Sequence, residues 1–426
     1  MPSRDLTIPL SFHRTLDYKI YNLFKIQLSG EMPSNMPVKP IKLDFIDGLR
    51  GIAILGVIMV HTSELVLRPD SRWMHKIALE ATHGVQLFYL VSAFTLLLSY
   101  HTRKKDSDSL VFDFYLRRFF RIAPLFYLSM LVYLFLDGTG PRYFAPNGIN
   151  WIHILTTATF TNGWYPTTIT SIIPGGWSVA IEMNFYLLLP IFYKYVTTLH
   201  RSLWFTLLAL LLHLLFRQVM TSILSPLFPE NHLYLIFFFL NTLCLPAQMS
   251  IFGLGFIFFY LFSFTQNQPI ETRSQHRNPN SLIFFMIFFY IIAALLTTEF
   301  QLRAYTLVPR HFVYGIAFLV FAYALLLFPS PLFVNFITKK MGRISYSMYL
   351  IHPLLLKMFK KIVVANFALS MNRDLLFLIA YISLVLATYL IAAITHDYIE
   401  KPGIALGQKI ILIKKKFSVH ISSRKT

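Results

Sequence analysis

The sequence predicts an all-α polytopic membrane protein of about ten transmembrane helices, with both termini in the cytoplasm. Hydrophobic residues make up 56% of the 426 residues and charged residues only 13%, against about 25% charged in an ordinary soluble domain. Apolar residues fill runs such as 202–220, 281–298 and 375–394, and a helix needs about 20 mostly apolar residues to cross a bilayer. In lipid each segment must satisfy its own backbone groups, so these runs are expected to be helices.

Reading the apolar runs between charged residues, glycines and prolines gives ten spans in chain order. They are predicted at 44–66, 84–101, 119–137, 178–197, 202–220, 246–264, 281–299, 311–328, 345–364 and 375–397. The segment 233–245 is apolar but short and ends at Pro246. It could be an eleventh span or a re-entrant segment.

The distribution of basic residues supports ten spans. The net charge is +19, from 38 Lys and Arg against 19 Asp and Glu. In a soluble protein this excess would suggest nucleic acid. Here we attribute it mainly to topology and predict no nucleic-acid partner, because basic residues gather in cytoplasmic loops. With ten spans the inner segments hold 26 of the 38, whereas an eleventh span would place the tail Lys414-Lys415-Lys416 outside. The outer stretch 357–374 is the exception, with four basic residues.

The chain divides into three parts. Residues 1–42 are polar and basic and lack the apolar region of a cleavable signal, so they are predicted to be a cytoplasmic segment. Residues 43–400 form the membrane domain, and 401–426 a basic cytoplasmic tail. The single cysteine, Cys244, excludes a disulfide framework and a thiolate metal cluster. No metal and no permanently bound cofactor are expected.

The first span carries three ionisable residues, Asp47, Arg50 and His61. Ionisable residues inside a membrane are costly and mark functional sites. Asp47 and Arg50 are three residues apart, and Arg50 and His61 differ by only about 20° around a helix, with about 16 Å of rise between them. The three therefore form one stripe. The alternative is an interfacial salt bridge and a structural histidine.

His61 and Glu182 are predicted to lie at similar depth. If the first span enters near Asp44, His61 lies about 25 Å up, and a fourth span descending from Ser178 places Glu182 about 6 Å below the outer face. A histidine whose tautomer is fixed by a carboxylate can act as a general base on an alcohol. The pairing is a hypothesis, because the sequence fixes depth and not azimuth.

Two further groups lie near the inner face. Arg117, Arg118 and Arg121 precede the third span, where they could be topology anchors or a seat for phosphates, to which guanidinium groups are well fitted. Arg117 and Arg121 share a face at i, i+4 spacing. His352, about 10 Å up, is expected near the depth of Arg50; it could instead be a structural hydrogen-bonder beside Pro353.

Six segments in order resemble the acyltransferase family 3 integral-membrane O-acyltransferases over roughly residues 43–408. They are Phe45-Ile-Asp-Gly-Leu-Arg-Gly-Ile-Ala with its distal His61, Gly84-Val-Gln-Leu-Phe-Tyr-Leu-Val-Ser-Ala-Phe, Phe114-Tyr-Leu-Arg-Arg-Phe-Phe-Arg-Ile-Ala-Pro, Gly176-Trp-Ser-Val-Ala-Ile-Glu-Met-Asn-Phe-Tyr, Gly342-Arg-Ile-Ser-Tyr-Ser-Met-Tyr-Leu-Ile-His-Pro and Tyr398-Ile-Glu-Lys-Pro. The resemblance implies a ten-helix domain that transfers acetyl or another short acyl group from cytosolic acyl-coenzyme A to an extracytoplasmic acceptor, usually a sugar.

The family's functional residues map onto matching positions of this chain. Its paired arginine and histidine correspond to Arg50 and His61, its basic motif to Arg117, Arg118 and Arg121, and its Trp-Ser…Glu motif to Trp177, Ser178 and Glu182. The chain departs from many relatives with Gln86 in place of Asp, Ala93 in place of Gly, and Ile181 in place of a second acidic residue.

The resemblance and the stripe together predict a mechanism in a bacterial inner membrane. The phosphates of acetyl-coenzyme A would bind Arg117, Arg118 and Arg121, helped by Arg343 and His352, while the thioester passes Arg50 and Asp47. His61, oriented by Glu182, would deprotonate a glycan hydroxyl or take the acyl group itself. Three tryptophans, Trp151, Trp164 and Trp177, lie in the long outer loop 138–177. They could stack on the sugar, with Ser178 also at the acceptor site, or they could anchor the protein at the membrane interface. A transporter or flippase for an anionic solute, and a non-catalytic scaffold, are the alternatives.

Overall fold

The computed structural model describes residues 43–103, 110–266, 280–297, 308–366 and 372–422. The predicted N-terminal segment 1–42 lies outside the described residues. Within the described ranges the fold is helical, and the only pairing of extended backbone is an isolated bridge between Arg142 and Ala145. The all-α prediction is confirmed for this part of the chain.

Fifteen α-helices are described in these ranges. In chain order they are α1 Asp44–His61, α2 Arg72–Glu80, α3 Gly84–Arg103, α4 Leu110–Asp137, α5 Trp151–Ala158, α6 Gly176–Tyr195, α7 Leu199–Leu224, α8 Leu233–Phe238, α9 Leu245–Gln266, α10 Asn280–Thr297, α11 Arg310–Leu327, α12 Phe336–Arg343, α13 Ser345–Asn366, α14 Arg373–Thr395 and α15 Lys401–Ser422. Short π-helical turns extend α1 (Thr62–Val66), α8 (Phe239–Leu243) and α14 (His396–Glu400).

Seven helical segments of the described chain are long and apolar enough to cross a membrane. They are Asp44–Val66, Arg72–Arg103, Leu110–Asp137, Leu199–Leu227, Glu230–Gln266, Arg310–Leu327 and Arg373–Lys416. Each contains one predicted span, which confirms a polytopic membrane protein. The other three predicted spans coincide with α6, the shorter apolar α10 and α13. The total of ten spans and the cytoplasmic position of the termini stay predictions.

Two predicted span boundaries are revised. The second segment begins at Arg72, not at 84, because α2 joins α3 through the 3₁₀ turn Ala81–His83. Glu80 thus belongs to a long helical segment, where Arg310 pairs with both of its carboxylate oxygens at 2.5 and 3.1 Å. The segment that contains the predicted span 246–264 begins at Glu230, and within it the extended residue Cys244 separates α8 and its π-helical turn from α9.

Glycines bring α12 into direct backbone contact with α1. A Cβ on Gly51 would collide with the backbone of Thr338, and a Cβ on Gly342 with the backbone of Asp47. α12 is fixed at its start by a capping box, in which Asn335 Oδ1 accepts from the Thr338 N–H and Thr338 Oγ1 accepts from the Asn335 N–H. This contact sets the position of α13, which follows α12 after one residue.

Candidate active site

A charged cavity of about 90 Å³ lies between α1, α3, α4, α6 and α13. Its lining residues carry three guanidinium groups, one carboxylate and eight hydroxyl groups. The charged residues are Arg50, Arg118, Arg121 and Glu182, and the hydroxyl groups belong to Tyr89, Ser92, Thr95, Ser178, Tyr186, Ser345, Tyr346 and Tyr349; apolar residues complete the wall. Such a set of polar groups inside a membrane domain marks a functional site.

Arg50 is held at the cavity wall by contacts from two sides. Its Nη2 donates to Thr95 Oγ1 on α3 at 3.0 Å, and its Nη1 lies 4.0 Å from Asp47 Oδ1 one turn earlier. Asp47 in turn accepts from Arg343 Nε at 3.1 Å. Asp47 is outside the cavity lining, so it positions Arg50 and joins it to the half-exposed Arg343.

Glu182 is fixed within the cavity by hydroxyl groups. Ser92 Oγ on α3 donates to Glu182 Oε1, and Tyr186 donates to the same oxygen at 2.7 Å from the next turn of α6. No arginine forms an ion pair with Glu182 among the described residues. The three guanidinium groups of the cavity therefore keep an excess of positive charge over one carboxylate. The cavity is suited to an anionic group or to an oxygen on which negative charge develops.

The structure distinguishes among the three arginines of the basic motif. Arg118 and Arg121, three residues apart, both line the cavity, whereas Arg117 is not part of its wall. The guanidinium of Arg118 lies 5.7 Å from the ring of Phe114 and 5.9 Å from that of Tyr186. Arg117 lies within electrostatic range of Asp113 and Arg103. The face that α4 turns to the cavity thus carries Arg118 and Arg121, not the pair Arg117 and Arg121.

His61 takes its orientation from its own helix. Its Nδ1 lies 2.9 Å from the carbonyl oxygen of Val57. A carbonyl oxygen can only accept, so Nδ1 carries the proton and Nε2 of the neutral ring has the free lone pair. The backbone therefore sets the tautomer that a general base requires, which is the role that the sequence had suggested for Glu182.

The predicted contact between His61 and Glu182 is not formed. The prediction assumed that α6 starts at the outer face. Instead, Tyr349 donates to the carbonyl of Gly175 at 3.1 Å, and Ser178 Oγ donates to Tyr349 Oη at 2.8 Å. Tyr349 is only one turn from the start of α13, where Ser345 lines the cavity. The beginning of α6 therefore lies deep in the bundle, and Glu182 shares the cavity with Arg50, about 16 Å along α1 from His61.

His352 also lies away from its expected position. It is 1% exposed, and its ring centre lies 5.2 Å from that of His61 and 5.6 Å from that of Tyr349. His352 therefore lies beside His61 and not at the depth of Arg50. The depth prediction failed because α13 starts at the level of the cavity, after the short helix α12, and not at the inner face.

The tryptophans of the predicted acceptor site fall into two groups. Trp151 at the start of α5 is 70% exposed and Trp164 is 67% exposed. The indole N–H of Trp164 donates to Asn184 Oδ1 on α6 at 3.2 Å, which fixes the ring while its face stays open. Trp177 is half-buried and packs edge-on against Tyr89 with ring centres 6.4 Å apart, so it is a packing residue at the start of α6.

Sequence reasoning missed most of the hydroxyl groups of the cavity. Ser92 and Thr95 are three residues apart on α3, and Tyr186 follows Glu182 by four; both spacings place side chains on one helix face. These spacings could have identified Ser92 and Tyr186 as neighbours of a buried carboxylate. Tyr346 and Tyr349 gave no comparable signal, because tyrosines are common at membrane interfaces. Within the described ranges no group of three or more His, Cys, Asp or Glu residues is arranged to hold a metal ion.

Comparison with known proteins agrees with this arrangement. The sequence profile of acyltransferase family 3, described as an acyltransferase domain, matches residues 43–397. The chain belongs to this family. Helices α1 to α14, with the cavity and the two histidines, fall within the family domain.

Two curated relatives illustrate the family. The acyltransferase MdmB of Streptomyces mycarofaciens is 29% identical over 175 residues, which are 40% of this chain and 44% of that protein. The O-acetyltransferase OatA of Staphylococcus aureus is 26% identical over 179 residues, which are 38% of this chain and 26% of OatA. The alignments thus cover less than half of either relative. No solved structure matches the chain significantly.

Proposed function

We propose that this protein is an acyltransferase that moves a short acyl group, acetyl in the first instance, from acyl-coenzyme A to a hydroxyl group of a glycan on the opposite side of a bacterial inner membrane. The observation that carries the proposal is the row of neighbouring rings from Tyr349 at the arginine cavity to His352 and His61, with ring centres 5.6 and 5.2 Å apart. An anionic donor bound at the cavity and a histidine base at the far end of this row would provide both halves of an acyl transfer.

The donor fits the cavity by charge and by size. Arg50, Arg118 and Arg121 face it together with a single carboxylate. A volume of about 90 Å³ has room for only about six to nine water-sized groups, so it accommodates the thiol arm and not a whole nucleotide. We place the phosphates of coenzyme A at the mouth, near the half-exposed Arg343. The guanidinium groups inside then face the thiol arm between the phosphates and the thioester, which reaches His61.

The acceptor step is assigned to His61. The lone pair on Nε2 removes the proton from the glycan hydroxyl, which then attacks the acyl carbon. The extended thiol arm of coenzyme A is long enough to cover the distance from Arg50 to His61. The open ring face of Trp151 provides a stacking surface for a sugar, whereas Trp164 bonds to Asn184 near the depth of Glu182.

The test is coenzyme dependence in purified protein. We expect binding of acetyl-coenzyme A and release of free thiol when a soluble oligosaccharide acceptor is present, with acetyl ester on the sugar by mass spectrometry. Uptake of an anionic solute into vesicles without thiol release would contradict the proposal and support a transporter. Unchanged acetylation of surface glycans in cells that carry His61→Ala would indicate a scaffold.

A further inference from the structure

His352 is a fully buried histidine that lacks hydrogen bonds. It is 1% exposed, and neither Nδ1 nor Nε2 has a partner in the described structure. The carbonyl groups of Met348 and Tyr349 lie near the ring but do not meet the geometry of a hydrogen bond. Buried polar groups are nearly always bonded, so an imidazole with two open nitrogens requires an explanation.

The surroundings of His352 place it between the base and the cavity. On one side is His61, with ring centres 5.2 Å apart and the planes tilted by 46°. On the other is Tyr349, whose hydroxyl lines the cavity and accepts from Ser178 Oγ at 2.8 Å. A single water or a small ring rotation bridges a separation of this size between two imidazoles.

We propose that His352 is a proton-relay residue that takes the hydroxyl proton from His61 and returns it toward the cavity. The inference rests on the proposed function. It adds a residue and a direction to it: the proton passes from His61 to His352, and from His352 to the departing sulfur of the thiol arm, which enters from the cavity beside Tyr349. Glu182 does not take this part, because its carboxylate is bonded to Ser92 and Tyr186 in the cavity.

The relay balances the transfer reaction. The oxygen–acyl bond forms as the carbon–sulfur bond breaks, and the electron pair of the broken bond leaves on sulfur as a thiolate. The proton of the acceptor hydroxyl goes to His61 Nε2, and one proton passes along the relay to the thiolate. The products are the ester and free coenzyme A thiol. No external acid, base or oxidant is consumed, and His61 is neutral again for the next turnover.

A structural role for His352 is the competing explanation. Pro353 follows it within α13 and cannot donate to the Tyr349 carbonyl, so the ring could simply occupy the space beside this free acceptor. Glutamine distinguishes the two roles, because its amide can donate to a carbonyl and fill much of the space but cannot carry a proton.

The experiment compares His352→Gln with His311→Gln in the full-length protein. His311 is a matched control, since it is 4% exposed in α11 and its Nε2 is bonded to the carbonyl of Ala247, outside the path. We expect His352→Gln to lower acyl transfer by about 10²-fold at an unchanged melting temperature, with a larger solvent deuterium isotope effect on the remaining turnover. His311→Gln should stay within about threefold of wild type, since it leaves the proton path intact.

Activity of His352→Gln within about threefold of His311→Gln, or a loss with an isotope effect equal to that of wild type, would overturn the relay. A separate sample tests the proposed function itself. Wild-type protein that releases no thiol from any acyl-coenzyme A would overturn the proposed function together with the relay. An active wild type with an active His352→Gln overturns the relay alone.

Discussion

At the scale of single residues, the histidine and the glutamate of this site do not act as a pair. In many enzymes a glutamate both orients a catalytic histidine and stabilises its protonated form. The Val57 carbonyl orients His61, while Glu182 belongs to a hydroxyl network beside Arg50. A backbone carbonyl fixes the tautomer but brings no net charge to stabilise an imidazolium. A protonated His61 is therefore expected to be short-lived, which agrees with a second histidine next to it.

A double-mutant cycle tests this separation. Because Glu182 and Ser92 are in contact, Glu182→Gln and Ser92→Ala should be coupled by about 0.5–3 kcal/mol in kcat/KM. Glu182→Gln and His61→Gln share no contact, so their effects should add to within about 0.5 kcal/mol. The values come from initial rates of thiol release by each single and double variant. Strong coupling between Glu182 and His61 would contradict this separation and support the direct contact that the sequence predicted.

The two adjacent arginines of α4 provide a second residue-scale prediction. Arg118→Ala removes a guanidinium from the cavity wall, and we expect the affinity for acyl-coenzyme A to fall about 10- to 100-fold, the value of a charged hydrogen bond. Arg117→Ala is the matched control and should change it by less than about threefold, because its screened charge lies outside the wall. Isothermal titration of both variants measures the difference. Equal losses would mean that the donor phosphates bind the whole motif at the mouth.

At the scale of helices, packing against α1 determines where the site residues lie. The glycines of α1 and α12 allow the two backbones to touch, and α13 then starts inside the bundle with Ser345 at the cavity. Periodicity identified α1 and its stripe correctly, because helical spacing depends on local geometry alone. The depths of Glu182 and His352 depend on where α6 and α13 begin. Those starting points are set by contacts with Tyr349 and Asp47, which no local pattern encodes.

Gly51→Ala tests the contact between α1 and α12. The added Cβ would collide with the Thr338 backbone, so the helices must separate, and we expect a loss of about 1–3 kcal/mol in stability. Gly140→Ala is the control, since its Cβ would meet no atom within 4 Å. Thermal unfolding in detergent measures both variants, and the released Arg50 should also lower turnover in Gly51→Ala. Equal melting temperatures would contradict the close contact.

At the scale of the whole molecule, the proposed transfer uses polar groups near both ends of α1. The cavity arginines and Arg343 lie toward one end of α1, and His61 lies toward the other. The rise along the helix from Arg50 to His61 is about 16 Å. The long segment between α4 and α6 reaches into the bundle, where Gly175 bonds to Tyr349, while Trp151 and Trp164 keep exposed rings. Composition predicted the membrane domain because hydropathy sums over many residues. The positions of the cavity and of the histidines depend instead on contacts between a few helix ends.

The central claim is that the acyl group crosses the membrane domain from a coenzyme donor to an acceptor on the other side. Proteoliposomes with one protein orientation, labelled acetyl-coenzyme A on the arginine side and a soluble oligosaccharide on the tryptophan side test it directly. We predict labelled sugar ester on the acceptor side only, lost in His61→Gln, with free thiol on the donor side. Ester formed only when both substrates share one side, or label that crosses without ester formation, would contradict the account.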